Sequence, residues 1–160
     1  MLGINFIFVG KTREKYFTEA QGEYIKRLRL FCAPEIIELP ERKLPANPSA
    51  AQKDAALLIE AGEILKHFPS NAFLIPMCVE GSQKSSEELA QLLEKLPSDG
   101  ISKICFIIGG SFGLHETVKA AGNLHLSLSK MTLPHSLARV VLLEQVYRAF
   151  SILSGSKYHK

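Results

Sequence analysis

The chain has 160 residues, 46% of them hydrophobic and 22% charged, with a formal net charge of +3 at pH 7. This balance predicts a single α/β-sized domain over residues 1–160 and excludes a disordered chain. No uninterrupted apolar stretch approaches the roughly 20 residues that a membrane-spanning helix needs, and no basic region precedes the first apolar run, so a soluble, cytoplasmic protein with no membrane contact is expected.

"INFIFVG" reads as the first strand. A helix is expected from about Glu14 to Leu30, with Thr12 as its N-cap, Tyr16, Phe17, Tyr24 and Leu28 on its apolar side, and Lys26, Arg27 and Arg29 at its carboxyl end. "EIIELP" is the second strand; the Pro-rich loop "LPERKLPANPS" then leads into a helix from about Ala50 to His67. "AFLIPMCVEG" is the third strand. "SSEEL" starts the third helix, with Ser85 or Ser86 as cap and Glu87 and Glu88 in the first turn. "KICFIIGG" is the fourth strand. "LHETVKAAG" is a short helix stopping at Gly122, "LHLSLS" a brief fifth strand, and Pro134 opens a final helix to about Leu153. Apolar runs alternating with helical segments predict a mostly parallel sheet flanked by helices.

Three loops carry the candidate chemistry. Gly109, Gly110 and Gly113 follow a strand directly, at the edge where open α/β sheets bind ligands. They match neither a dinucleotide fingerprint nor a P-loop, and a tight turn without a ligand is an equally good reading of the glycines alone. Met77 to Gly81 and "LSLSKMTLP" are expected at the same edge, completing a crevice for a nucleoside-sized ligand. Its lining is backbone, small hydroxyls and apolar side chains, which suits an adenine-bearing molecule of low negative charge and provides no metal site.

Cys32, Cys78 and Cys105 are odd in number and widely spaced, and read as reduced core thiols. His67, His115 and His125 lack metal-ligand spacing and read as surface or cap residues; His135 and His159 lie beside segments able to reach the crevice. A sequence pI of about 8.8 permits an RNA partner without demonstrating one.

The final helix is apolar around most of its circumference, which predicts burial on more than one side, one of them against a second subunit. Glu144, Arg148 and Ser151 form its polar stripe. Arg139 is out of place: a helical wheel puts it among Leu143, Val146 and Phe150, where a long cation requires a partner, an interface or a ligand.

"FIIGGSFGL" and "LSLSKMTLPHSLARVVLLEQVYRAFSILSGSKYHK", together with the "FVGK" start and "EGSQKSSEELA", closely resemble the RlmH family of the SPOUT superfamily, bacterial methyltransferases of ribosomal RNA. The resemblance spans the whole chain; the family often has Gly-Lys at Gly81–Ser82 and other residues at Ser111 and Phe112. It implies a C-terminal trefoil knot, a homodimer, and S-adenosylmethionine bound in the knot by Met77, Gly109, Leu128, Ser129, Lys130, Met131, Thr132 and Leu133. It also implies methylation of N3 of a pseudouridine in a 23S rRNA stem-loop on the ribosome.

Arg139, Tyr158 and His159 are the candidates for catalytic or substrate contact, the last two on a tail able to order over the substrate, and Arg139 either reaching RNA or serving a subunit-interface ion pair. A non-catalytic RNA-binding module and another nucleotide-binding α/β protein share the strand pattern. The first lacks the stacking aromatics in a basic groove that it needs.

Overall fold

The computed structural model describes residues 1–160. Its strands are β1 (Gly3–Val9), β2 (Ala33–Leu39), β3 (Phe73–Gln83), β4 (Lys103–Ile108) and β5 (Leu126–Ser127). The helices are α1 (Lys15–Leu28), α2 (Ala50–Lys66), α3 (Ser86–Ser98), α4 (Glu116–Ala121) and α5 (His135–Leu153). All strand pairs are parallel, in the order β2-β1-β4-β3-β5.

The central strands β1 and β4 are apolar on both faces because both faces of the sheet are covered there, while the edge strand β2 keeps Glu35 and Glu38. Alternate residues divide between two cores. Ile4, Phe6 and Phe8 of β1 with Ile104, Phe106 and Ile108 of β4 pack under α1, α3 and α5. Ile7, Val9, Cys105 and Ile107 face α2 and α4 through Ala61, Ile64 and Val118. The chain therefore changes faces between α4 and α5, by way of β5 and the loop 128–134.

Helix starts follow the sequence at α2 and α3, where Ser49 and Ser85 form capping boxes with Gln52 and Glu88. At α1 the expectation fails. Helix α1 begins at Lys15, and the capping position is Glu14, which makes no side-chain cap. Thr12 is instead buried, accepting from Gln21 Nε2 at 3.0 Å and from Arg139 at 2.8 Å. Helix α4 does stop at Gly122, yet with φ −71° rather than a left-handed turn. Glycine is required there by crowding: a Cβ would lie 2.6 Å from the Pro76 ring. No helix is long and apolar enough to cross a membrane.

Candidate active site

The carboxyl ends of β3, β4 and β5 frame a cleft of about 800 Å³, a size suited to a nucleoside-containing ligand. The glycine loop forms one wall. A Cβ on Gly109 would collide with the Gly113 carbonyl, and one on Gly110 with the Glu41 carboxylate, so the backbone itself forms the surface. Ser111 N–H donates to Glu41 Oε1 at 2.8 Å, which ties this turn to the loop after β2.

The loop 128–134 forms the facing wall. Leu128, Ser129, Met131, Thr132 and Leu133 line the cleft with Met77 and Gly109, whereas Lys130 belongs to the same loop and is exposed outside the lining. Ser127 Oγ donates to the Ser129 carbonyl at 3.0 Å, and Met131 N–H to Ser129 Oγ at 2.9 Å. The backbone N–H groups of Ser129, Lys130, Thr132 and Leu133 donate to no protein atom. Unpaired donors concentrated on one loop are the means by which a polar ligand edge is held. The side chains and backbone around the cleft thus fit an adenosine-like group carrying few negative charges.

The structure adds lining residues beyond the named contacts, some of them within or beside the segments expected to meet here. His135, at the first turn of α5, Ala138, Ser111 and Phe112 line the cleft, as do Glu80 and Lys119. The Glu80–Lys119 pair is 2.6 Å apart. Their hydrogen bond holds the Glu80 carboxyl below the usual range and the Lys119 ammonium above its own. The position of His135 directly after "TLP" was a legible signal; the Glu80–Lys119 pairing, 39 residues apart, was not. Of the other histidines, His115 accepts from Thr117 N–H at the start of α4 with its Nε2 3.3 Å from Asp54 of α2, and His67 ends α2.

Arg139 lies away from the cleft wall and departs from the expectation of reaching RNA or a second subunit. It is fully buried. Nη2 donates to the Val9 carbonyl at 2.7 Å, Nη1 to Thr12 Oγ1 at 2.8 Å, and Glu38 Oε2 is 3.6 Å from Nη1. The guanidinium also sits 4.9 Å from the centroid of Phe8. Only Nε lacks a partner. Burial pulls its pKa down while Glu38 and Glu41 oppose that shift. The misplaced cation is thus an intrachain tie between α5 and the carboxyl ends of β1 and β2.

Tyr158 and His159 also lie outside the lining of their own cleft. Tyr158 stacks edge-on against Tyr147, with ring centroids 4.7 Å apart, and its hydroxyl donates to Glu144 Oε1 at 3.1 Å. His159 Nε2 is 2.7 Å from Glu87 of α3, and its Nδ1 is 3.3 Å from Arg148. Burial, with the hydrogen bond to Glu144, raises the Tyr158 phenol above its usual range. Ser151 leaves the polar stripe: it is buried and donates to the Tyr147 carbonyl.

A family profile described as "Predicted SPOUT methyltransferase" matches residues 2–159. The chain belongs to the SPOUT methyltransferase family. Curated SPOUT relatives cover the same length: "Ribosomal RNA large subunit methyltransferase H" of Leuconostoc mesenteroides subsp. mesenteroides is 46% identical over 159 residues, spanning 99% of this chain and 100% of the relative. The proteins of that name in Bacillus thuringiensis and Bacillus anthracis are 47% identical with the same coverage. Among solved structures, a probable methylase family protein from Haemophilus influenzae superposes with a TM-score of 0.53 at 14% identity, covering 98% of this chain and 70% of the other. That similarity shows the fold alone. For a SPOUT chain, the convergence of a glycine loop and a loop with unpaired donors locates the candidate centre over β3, β4 and β5.

Proposed function

We propose that this protein transfers a methyl group from S-adenosylmethionine to N3 of a pseudouridine in a 23S rRNA stem-loop on the ribosome, as a cytoplasmic homodimer with a trefoil-knotted C-terminal segment. The family supports the reaction type, and relatives named for ribosomal RNA large-subunit methylation support the substrate. The observation that carries the reading is the cleft itself, in which the glycine turn and the loop 128–134, with its unpaired N–H groups, meet over the ends of β3, β4 and β5.

S-adenosylmethionine supplies an electrophilic methyl group on a sulfonium. Met77, Gly109 and Leu128–Leu133 hold the donor, with the loop's N–H groups satisfying its polar edges. Gly109 and Gly110 keep the turn closed against Gly113 and Glu41 beside the donor's place, and Leu128 and Leu133 would shield the transferring methyl from water. N3 must lose its proton as the new bond forms. His159 and Tyr158 are the tail groups assigned to the substrate. Because the tail is docked on α3 and α5 away from its own cleft, the arrangement fits service to the cleft of a partner subunit. Half-buried Leu137, Val140 and Val141 on α5 offer an apolar surface for that partner.

Calorimetry with S-adenosylmethionine tests the donor, with flavin and NAD as controls expected not to bind. Methylation of ribosomes from a strain lacking the enzyme, followed by mass mapping of the nucleotide, tests the acceptor. Absence of S-adenosylmethionine binding would overturn the reading.

A further inference from the structure

Two loops beside the cleft remain unused by the proposed chemistry. The β1–α1 loop carries Lys11 and Arg13, both exposed, on either side of buried Thr12. The β2–α2 loop carries exposed Arg42 and Lys43. None of these four cations forms an ion pair.

The loops are adjacent and fixed. Gly10 N–H donates to the Leu39 carbonyl at 2.6 Å, and Thr12 N–H to Glu38 Oε2 at 2.9 Å. Arg139 grips the first loop through Val9 and Thr12, while buried Glu60 accepts from Arg42 N–H at 2.8 Å in the second. The second loop also reaches the cleft wall through Glu41 to Ser111, and helix α2 does so through Lys53, whose Nζ lies 4.8 Å from the centre of the Phe112 ring. Three nearby carboxylates are engaged inward, Glu38 with Thr12 N–H and Arg139, Glu41 with Ser111 N–H, and Glu60 with Arg42 N–H, which leaves Glu14 as the exposed carboxylate of the first loop. What faces solvent along the β2-β1-β4 side of the cleft is therefore a row of unpaired cations on preformed backbone, ending at a half-exposed aromatic ring.

We infer that Lys11, Arg13, Arg42 and Lys43 form the docking surface for the phosphate backbone of the RNA substrate, with the target base entering the cleft past Phe112. The inference rests on the rRNA reading above for its substrate class and adds the surface that holds it. Mobile cations on rigid loops match a ladder of phosphates, and the row lies outside the donor cleft, so RNA affinity and donor affinity are separable.

The test uses the full chain carrying Lys11→Gln, Arg13→Gln and Lys43→Gln together. Its affinity for unmodified ribosomes is measured by co-sedimentation across a salt series at fixed magnesium, and its S-adenosylmethionine affinity by calorimetry. The expected result is unchanged donor affinity, ribosome binding weakened about tenfold or more, and a log–log salt slope shallower by about two, as for loss of three phosphate contacts. Control replacement of Lys26, Arg29 and Lys103, exposed at the opposite edge of the sheet, should change neither quantity. An unchanged slope overturns the inference, whether affinity is retained or lost, because a contact that is not phosphate carries no such signature. An equal loss in the control overturns it as well. Wild-type protein that bound ribosomes but no S-adenosylmethionine would instead sink the methyltransferase reading and leave the docking result to stand by itself.

Discussion

Arg139→Met replaces a buried cation by an apolar chain of similar length, and its consequences follow from the partners it leaves behind. The Val9 carbonyl loses a charge-assisted bond of 2.7 Å and Thr12 one of 2.8 Å. Such bonds contribute about 1.5–3 kcal/mol each. The Thr12 share is discounted because its hydroxyl keeps Gln21 Nε2, and the Glu38 share because that side chain is 40% exposed and keeps Thr12 N–H. Methionine also removes the buried Nε that has no partner. The net loss comes to about 2–3 kcal/mol, below the roughly 3–5 kcal/mol typical of breaking a buried pair.

For a domain of this length that corresponds to a fall in Tm of about 4–12 °C. Urea unfolding at fixed protein concentration should show a lower midpoint with an unchanged slope, since only stability is altered. Donor affinity should stay near wild type, because no atom of Arg139 lines the cleft. A variant with wild-type urea midpoint and lost ribosome methylation would refute this reasoning and return Arg139 to direct contact with substrate.

Gly109→Glu should abolish S-adenosylmethionine binding, since any side chain at that position runs into the backbone of Gly113; normal affinity by calorimetry would remove Gly109 from the site. His159→Ala should spare donor binding and reduce methylation of ribosomes, and unchanged turnover would reject a role for the tail. Burial pushes Cys32 up to about 12 and Cys105 up to about 11, so iodoacetamide at pH 8 should leave both unlabelled in the native protein. Cys78, half-buried on the cleft wall, should label slowly and be protected by S-adenosylmethionine, as read by peptide mass mapping. Burial also raises the Glu60 carboxyl, so the folded state holds its proton more tightly than the unfolded chain and loses stability as pH rises through the carboxylate range. Glu60→Gln, whose amide oxygen can still accept from Arg42 N–H, should therefore gain on wild type between about pH 4 and 7 in urea midpoints; parallel curves would contradict this.

Strand positions were legible because hydrophobic alternation and its loss when both faces are buried are properties of consecutive residues. The cap at Ser85 was legible for the same reason, its box closing over three residues, and the box at Ser49 is equally local. Thr12 was misread because its partners are distant: it resembles an N-cap two residues before Glu14, yet the hydroxyl serves Arg139, 127 positions away. Gly122 carried the right stop signal for a different cause, the approach of Pro76 across the sheet. The glycine loop and loop 128–134 could be placed at one edge from strand order, but the Glu41 brace beneath Gly110 and the Glu80–Lys119 pair required the fold.

Arg139 shows why local pattern and function separate here. A cation on an apolar helix face signals an unmet electrostatic demand, and three answers satisfy that signal equally from sequence. The fold selects the first of them, a partner within the chain: α5 brings the guanidinium to the ends of β1 and β2 and fixes the loops that follow them. Those loops carry the exposed Lys11, Arg13, Arg42 and Lys43. A residue sealed from solvent can thus act on RNA at one remove: fixing the loop that bears Lys11 and Arg13 reduces the ordering entropy paid when phosphate binds. On this basis Arg139→Met should weaken ribosome affinity while leaving the salt slope near wild type, since the cations themselves remain; a slope reduced as in the triple glutamine variant would mean that Arg139 itself meets phosphate.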